Sequence, residues 1–571
     1  MNPDGLRISG NVFAAGYGAL SAWADLIDQI NVFPVADNDT GTNLRVSLAP
    51  LREVTKDREQ VARLLLRCGI GNSGNIGAAF FGQFVRAETG RDLARRARLG
   101  HEASRQAVAR PRDGTMLDVM AALVQYLDRH PPDNIPALEH HLARSVLATT
   151  DRLDDLRRAR VIDSGALAMF VFFSGMFRML ARQRLTTPPV HELFAGRLQV
   201  AGAPLSASLE QTSCVSAVLE QTEQTDELRD RIEQLGESVV MVRDRAAVKI
   251  HVHTPDAPSL RGELETMGRL TQWREEPVTL QDAETSRPSH RKRCLHLMTD
   301  GAGSLPRSLA ARHDITLLDS YIIDQDRALP ESLCDPAALY ARMRNGARIR
   351  TAQAANLERH HGFAAAIRRF GPTLYLCTGS VYTGNYTAAL AWKNEHDPDN
   401  LFSIIDTGAA SGRLALITLL TARFADTGAD AAQIIKYAHQ CCEQVRELVF
   451  IDELKYLVRG GRISKTGGFF GDLLHVRPII TPRAEGVRRL GTVRSRTGQL
   501  EFLRRSLADR DGKTTVLLQY TDNRDRVRNT VEPAVRECLP GAKITTVPLS
   551  LTSGVHMGPG TWAVAWGSES V

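Results

Sequence analysis

Asp37 and Asp39 stand two residues apart in Asn31-Val32-Phe33-Pro34-Val35-Ala36-Asp37-Asn38-Asp39-Thr40-Gly41-Thr42-Asn43, a stretch that places carboxylates, hydroxyls and amides on one short loop. Hard oxygen donors of this kind suit Mg²⁺, which takes one or two protein carboxylates and fills the rest of its octahedron with water and phosphate oxygens. The same residue types also make ordinary turns, so the loop alone leaves both readings open. Three further segments bear on the choice. Gly69 to Phe81 runs from glycine-rich turn into small apolar residues, and Asn72, Ser73 and Gly74 lie within it. That pattern predicts a loop feeding a helix N-terminus, where free backbone N–H groups and the positive end of the helix dipole receive anions. Asp113-Gly114-Thr115-Met116-Leu117-Asp118 and Val161-Ile162-Asp163-Ser164-Gly165-Ala166 each put an acid and a small hydroxyl residue at a loop-to-helix junction.

A second constellation lies in Val248-Lys249-Ile250-His251-Val252-His253. Strand alternation puts His251 and His253 on one face with Lys249, while Val248, Ile250 and Val252 turn toward a core. The histidine face is expected to be wet. Two exposed histidines and a pair of metal ligands both remain open readings.

These residues need elements to position them. From about Gly10 to Ala195 the apolar spacing is helical, as in Met116, Val119, Met120, Leu123 and Leu127. Near Thr186-Thr187-Pro188-Pro189 the pattern changes to short strands with helices between, including Ser238–Val242 and Val248–His253, as far as about Leu280. A polar, basic linker spans Thr285–Arg293, and beyond it strand-like runs such as Thr373–Cys377 and Leu401–Asp406 alternate with helices, an α/β pattern. The expected divisions are a helical domain over 1–195, a small α/β middle domain over 196–284, the linker over 285–293 and a larger α/β domain over 294–571. A chain of 571 residues is too long for one core. Its net charge of +6 is small for that length, and no basic run is interleaved with aromatics, which argues against nucleic acid. The cysteines are scattered without any C-x-x-C, the start lacks a charged leader followed by an apolar stretch, and no apolar run approaches about 18 residues. A cytoplasmic protein with reduced thiols is expected.

Taken in order, the Asp37 loop, the Gly69 turn, the Thr115 segment and the Asp163 segment resemble the nucleotide-binding loops of the DhaL-like family, the ATP-binding component of dihydroxyacetone kinases and fatty-acid kinases. The form N-V-F-P-V-x-D-x-D-T-G-T-N is most similar to the fatty-acid kinase branch. The resemblance implies an all-α helical barrel holding ATP and two Mg²⁺, with Asp37 and Asp39 as catalytic metal ligands. It also implies Asn43, Asn72, Ser73 and Gly74 at the phosphates, and Thr115 with Asp163 lining the nucleotide pocket. Asn38 departs from the family's usual Gly and Ile70 from its frequent Arg; Asn tolerates the left-handed backbone that Gly would supply. Gln211-Thr212-Ser213-Cys214 together with the H-x-H strand resembles the middle domain of fatty-acid kinases, which implies Cys214, His251 and His253 as Zn²⁺ ligands.

From Leu297-Met298-Thr299-Asp300-Gly301-Ala302-Gly303-Ser304-Leu305-Pro306 to the C-terminus the chain resembles the DegV family of fatty-acid-binding proteins, a two-lobed α/β fold. The markers are Arg350–Ala354, Thr378–Tyr386, Asp406–Gly412, Leu454–Lys465 and His556–Gly560. The resemblance implies Thr351, Ser380 and Thr383 as hydroxyl donors to a fatty-acid carboxylate, with Arg462 and His556 as its charged or polar partners. Ala352 and Ala354 stand where the family is usually polar or Pro. The implied whole is a fused fatty-acid kinase that phosphorylates a long-chain fatty acid to an acyl phosphate. A dihydroxyacetone-type small-molecule kinase and a non-enzymatic lipid-binding protein are the alternatives. Phe469, Phe470, Leu473 and Leu474 make an apolar stripe if helical, which suggests either the roof of a lipid tunnel or a lid opening at the inner face of a membrane. Self-association stays open.

Overall fold

The computed structural model describes residues 7–33, 38–54, 57–183, 189–200, 212–220, 225–244, 247–277, 293–325, 327–459, 476–508 and 514–568. They fall into two compact units, one formed by Met1–Arg287 with His360–Ala365 and the other by Pro288–Arg359 with Ala366–Val571. The expected linker lies, apart from Arg293, outside the described residues.

The first unit begins with helices α1 (Gly10–Gln29), α2 (Thr40–Ser47), α3 (Arg58–Cys68), α4 (Gly71–Phe84), α5 (Gly90–Ala107), α6 (Met116–Leu127), α7 (Ile135–Arg152), α8 (Asp154–Ala159), α9 (Ser164–Leu180) and α10 (Val190–Leu193). Every residue of α9 from Ser164 to Phe177 is buried. A helix apolar on all sides must be surrounded, and α1, α6 and α7 pack against it. Small residues allow the closest approach: Gly16 lies under the Phe172 ring, and Gly175 lies against the backbone of Ala15. Phe80, Phe81, Phe84, Phe172 and Phe173 fill the adjoining space with tilted and edge-on rings, the geometry that aromatic quadrupoles favour. The Arg-rich α5 opens with a Thr89/Asp92 capping box and exposes its basic face, as its composition predicts. Along α6 the expected stripe is buried at Met116, Val119, Met120 and Leu123.

The middle region forms an antiparallel sheet in the order β2-β3-β1-β4, from β1 (Ser213–Glu220), β2 (Glu237–Asp244), β3 (Ala247–Thr254) and β4 (Arg269–Pro277), with helices α11 (Thr225–Leu235) and α12 (Ala257–Met267). Val248, Ile250 and Val252 pack with Leu228, Ile232, Leu260 and Leu264, so the alternation reading of β3 holds for that face. It fails for the other. His251 and His253 are buried, because their face of the sheet is covered by the helical region: Val240, paired with His251, and Val242, paired with Lys249, pack on Ala79 and Ala107 of α4 and α5. Period-two alternation fixes which side chains share a face, and carries no information on what lies against it.

The second unit combines a parallel sheet in the order β11-β10-β5-β6, a mixed sheet in the order β14-β13-β12-β17-β15-β16 and an antiparallel sheet in the order β8-β7-β9. Its strands are β5 (His296–Asp300), β6 (Ile315–Leu318), β7 (Tyr321–Asp324), β8 (Arg327–Pro330), β9 (Ile349–Ala352), β10 (Thr373–Cys377), β11 (Phe402–Asp406), β12 (Arg446–Phe450), β13 (Arg477–Arg483), β14 (Gly486–Val493), β15 (Thr514–Tyr520), β16 (Lys543–Pro548) and β17 (Trp562–Ser568). β5 and β10 are buried along their whole length, as parallel strands covered on both faces must be. The helix Ser411–Ala425 joins two sheets into one core, packing Leu414, Leu416 and Leu420 among Leu297 and Leu376 of the parallel sheet and Leu517 and Ala565 of the mixed one. Among the described residues no helix is long and apolar enough to cross a membrane.

Candidate functional sites

Four helix N-termini meet at one end of the helical region. The Ser164 hydroxyl at the start of α9 lies 3.2 Å from Asn31 Oδ1 and 3.1 Å from Thr40 Oγ1 at the start of α2. Ser73 Oγ, in the first turn of α4, reaches Thr40 O at 3.5 Å, and Gly165 lies against Met116 at the start of α6. α4 starts at Gly71, so Asn72, Ser73 and Gly74 belong to its first turn and not to a preceding loop. Glycine is required here: Gly71 has φ +60° with the Asn43 side chain where a Cβ would stand, and Gly74 faces Ser47 Oγ and Asn43 O. Asn43 and Ser73, separated by thirty residues of sequence, are thereby brought to one place. The buried Asn72 Oδ1 has no hydrogen-bond partner among the described residues.

Asp39 is the N-cap residue of α2, and its carbonyl accepts from Asn43 N at 2.7 Å. Asn38 adopts φ +54°, the left-handed geometry that made Asn an acceptable replacement for Gly. Asp37 lies outside the described residues. Sequence reasoning missed Asp28, whose buried carboxylate accepts from Gly41 N at 2.6 Å, Thr42 N at 3.1 Å and Thr42 Oγ1 at 2.9 Å. The available signal was an acid in the last turn of α1, where that helix's own dipole disfavours it. Its charge serves the first turn of α2 instead.

Asp163 caps α9 through Ala166 N at 2.7 Å, and its own N–H donates to Thr149 Oγ1 at 2.9 Å. Burial pushes its carboxyl up to about 7, against the opposing pull of backbone N–H groups. Thr115 caps α6, accepting from Leu117 N at 3.4 Å and donating to Arg112 O at 3.0 Å. Next to it Asp118 accepts from Gly114 N and pairs with Arg152. Thr115 and Asp163 thus have structural work as helix caps at the same end of the bundle.

In the middle sheet Cys214 stands opposite His253, and Ser216 opposite His251, across the β1–β3 ladder. One donor atom from each of Cys214, His251 and His253 falls within 4.8 Å of the others, with Cys214 Sγ 3.9 Å from His251 Nδ1. Burial lowers His251 to about 3, with the charges of His253 and Lys249 adding to it, and lowers His253 to about 4. Both imidazoles are therefore neutral, the form that ligates metal. His251 Nε2 and His253 Nδ1 are buried without a hydrogen-bond partner among the described residues. One thiol and two neutral imidazoles with unsatisfied ring nitrogens are a donor set suited to Zn²⁺.

In the second unit Thr351 Oγ1 and His556 Nε2 lie 3.1 Å apart, joining β9 to the helix Leu551–Met557. Glu331 holds that helix, accepting from Thr552 N at 3.0 Å and from its hydroxyl at 2.5 Å, and burial pushes its carboxyl up to about 7. Ser380 is on the surface with its N–H on Asp406 Oδ1 at 3.1 Å, while Thr383 Oγ1 accepts from Asn385 N at 3.3 Å. A network absent from the sequence reading fixes this loop: Arg359 donates to Gln353 Oε1 at 2.9 Å and Asn385 Oδ1 at 2.8 Å. Asn385 in turn donates to Asp300 Oδ1 at 3.0 Å. Asp300 also accepts from Thr378 N at 2.6 Å and from the Tyr375 hydroxyl, and burial raises its carboxyl above the usual range. Arg462 and the stripe at Phe469, Phe470, Leu473 and Leu474 lie outside the described residues.

Comparison with known proteins divides the chain in the same order. Residues 34–178 match the DAK2 domain, 210–285 the FakA-like middle domain of fatty acid kinases, and 295–569 the DegV family, described as uncharacterised. A DegV domain-containing protein of Streptococcus pyogenes serotype M1 is 27% identical over 278 residues, 47% of this chain and 96% of its own length. An uncharacterized protein of Staphylococcus saprophyticus is 25% identical over 319 residues, 50% of this chain and 58% of its own. Among solved structures, a DegV family protein of Thermus thermophilus, described by its fatty acid binding, is 21% identical with a TM-score of 0.45, covering 48% of this chain and 99% of that one.

Proposed function

With DAK2, fatty-acid-kinase-like middle and DegV regions following one another in a single polypeptide, we propose that this chain is a fused fatty-acid kinase. It transfers the γ-phosphoryl group of ATP to the carboxylate of a long-chain fatty acid held by the DegV region, giving an acyl phosphate. The observation that carries the reading is the convergence of the α2, α4, α6 and α9 N-termini around Thr40, Ser73 and Ser164. First-turn N–H groups of α2, α6 and α9 are taken up by Asp28, Thr115 and Asp163, so the anion site suited to a polyphosphate rests on the aligned positive ends of the helix dipoles and on the first turn of α4.

The chemistry asks little of proton transfer. A fatty carboxylate is ionised at neutral pH, so the nucleophile needs no general base, and the work is positioning and charge stabilisation. The first turn of α4 would cradle the phosphates, with Asn43 and Ser73 donating from the side chain and Asp28 keeping the start of α2 in place. Asp39, together with Asp37, would hold Mg²⁺, which would supply positive charge to offset the charge developing on the transferred phosphoryl group. In the second unit, Thr351 and His556 offer adjacent polar atoms to the acid's head group, and the Arg359–Asn385–Asp300 network keeps the neighbouring loop rigid. Carrying both sites on one chain replaces bimolecular encounter by an effective concentration that reaches the millimolar range if the connection spans them.

The deciding experiment is an ATP-dependent hydroxamate assay for acyl phosphate, combined with mass spectrometry of lipid extracted from the purified protein. A long-chain acid in the extract and hydroxamate formed only with both ATP and that acid are expected. ATP turnover on dihydroxyacetone and not on fatty acids would replace the reading with a small-polyol kinase.

A further inference from the structure

The middle sheet sends one side chain into the helical region at the turn that delivers α4 to the phosphate site. Lys249 Nζ donates to Arg67 O at 3.1 Å, approaches Leu66 O at 3.5 Å and also bonds Gly69 O. These are carbonyls at the C-terminal end of α3 and in the Gly69-Ile70 turn that separates it from α4. The last carbonyls of a helix lack intrahelical donors and carry the negative end of its dipole. An ammonium group, with three donors and a positive charge, satisfies and neutralises them together. The same turn is pinned from its other side, where Ile70 N donates to Ser47 Oγ at 3.0 Å and Ser47 Oγ donates to Asn43 O at 2.6 Å within α2. Two residues of chain are thus gripped between α2 and the middle sheet.

We propose that Lys249 is a positioning residue of the phosphoryl-transfer site, so that the middle sheet sets the pose of the α4 N-terminus and with it the affinity for nucleotide phosphate. This rests on the kinase reading above. Lys249 acts in two ways: it turns the carbonyls of residues 66, 67 and 69 away from the anion site, and it cancels their partial negative charge beside a polyanion. It also shares its face of β3 with His251 and His253, two and four residues along, so order imposed at the metal cluster reaches the phosphate turn through one strand. Arg229 is the natural comparison. It also bridges the middle region to the helical one, donating to Gln106 O at 2.7 Å, but far in sequence from the turn.

The test measures the affinity of a non-hydrolysable ATP analogue with Mg²⁺ for the full chain and its K249M, K249R and R229A variants, alongside zinc content, fatty-acid affinity and amide exchange at Ile70–Asn72. K249M is expected to weaken the analogue tenfold or more and to speed exchange at Ile70, with zinc content and fatty-acid affinity unchanged. K249R should recover part of the loss, since it keeps the charge while its planar fork fits three converging carbonyls poorly. R229A should stay within twofold of the parent. K249M binding the analogue as the parent does, or R229A losing as much as K249M, overturns the proposal. A parent chain that binds no nucleotide removes the kinase reading, and the proposal with it.

Discussion

The two candidate ligand sites of this chain are built by opposite means. At the end of the helical region the candidate phosphate site is made of backbone: helix starts at Thr40, Gly71, Met116 and Ser164 bring the positive ends of their dipoles together, and the glycines at 71 and 74 let the chain approach closely. In the DegV region the candidate head-group site is made of side chains, Thr351 against His556, braced by Arg359, Asn385 and Asp300. The difference matches the proposed ligands. A polyphosphate carries several charges over a wide surface, which many weak, fixed dipoles meet without a large desolvation cost for any one group. A carboxylate is a single compact charge, best met by a few polar atoms at one point.

Removing the acids proposed to hold metal should break the comparison most severely. Asp39→Asn, and separately Asp37→Asn, should reduce phosphoryl transfer by on the order of 10³-fold or more while fatty-acid binding is unchanged. Hydroxamate formation and a fatty-acid titration on the same preparations check this, and near-normal turnover in both variants would take the loop out of the mechanism.

On the side-chain-built site the losses should be smaller and confined to the acid. Arg462→Ala is expected to weaken fatty-acid binding by roughly 1.5–3 kcal/mol, the scale of a hydrogen bond to a charged group, and Thr351→Val by about 1 kcal/mol. The methyl ester of the same acid should bind the parent and both variants alike. Equal affinity of the parent for acid and ester would contradict recognition of the carboxylate.

Asp163 sharpens the contrast through pH. Its folded value, raised to about 7, lies above the ordinary 3.8, so the folded state holds this proton more tightly than the unfolded chain. The stabilisation is fully present below about 4 and is lost as pH rises through 7. Asp163→Asn should therefore match the parent's stability near pH 4 and exceed it at pH 8, by an amount on the order of 2–4 kcal/mol or less, with a correspondingly higher melting temperature. Parallel melting curves for parent and variant across that range would show that the buried carboxyl carries no desolvation penalty.

The smallest effect expected is at the neutral neighbour of the candidate zinc cluster. Ser216 Oγ lies 3.4 Å from His251 Nδ1, so Ser216→Ala should leave bound zinc near one per chain, whereas His251→Ala should lose it. Metal analysis after dialysis separates the two, and equal zinc loss in both would make the serine a ligand-orienting group.

The α6 stripe, the loop-to-helix junctions at Thr115 and Asp163, the strands at 248–253 and 373–377 and the order of the three regions were all legible in the sequence. Each rests on local periodicity, capping chemistry or an ordered set of motifs. Asn38 was legible in the same way, since its tolerance of positive φ is a property of the residue. The burial of His251 and His253 was not, because alternation says that two side chains share a face and nothing about the α4 and α5 surface that covers it. The roles of Asp28, Lys249 and Arg359 were equally hidden. Asp28 reaches an N-terminus thirteen residues on, Lys249 grips a turn 180 residues back in the chain, and Arg359 joins Gln353 to Asn385. Residue types and spacing determined which candidate chemistries this protein offers. Tertiary structure alone decided which helix ends meet and which charged groups hold them, because a contact between distant segments depends on how whole elements pack and leaves no period in the sequence.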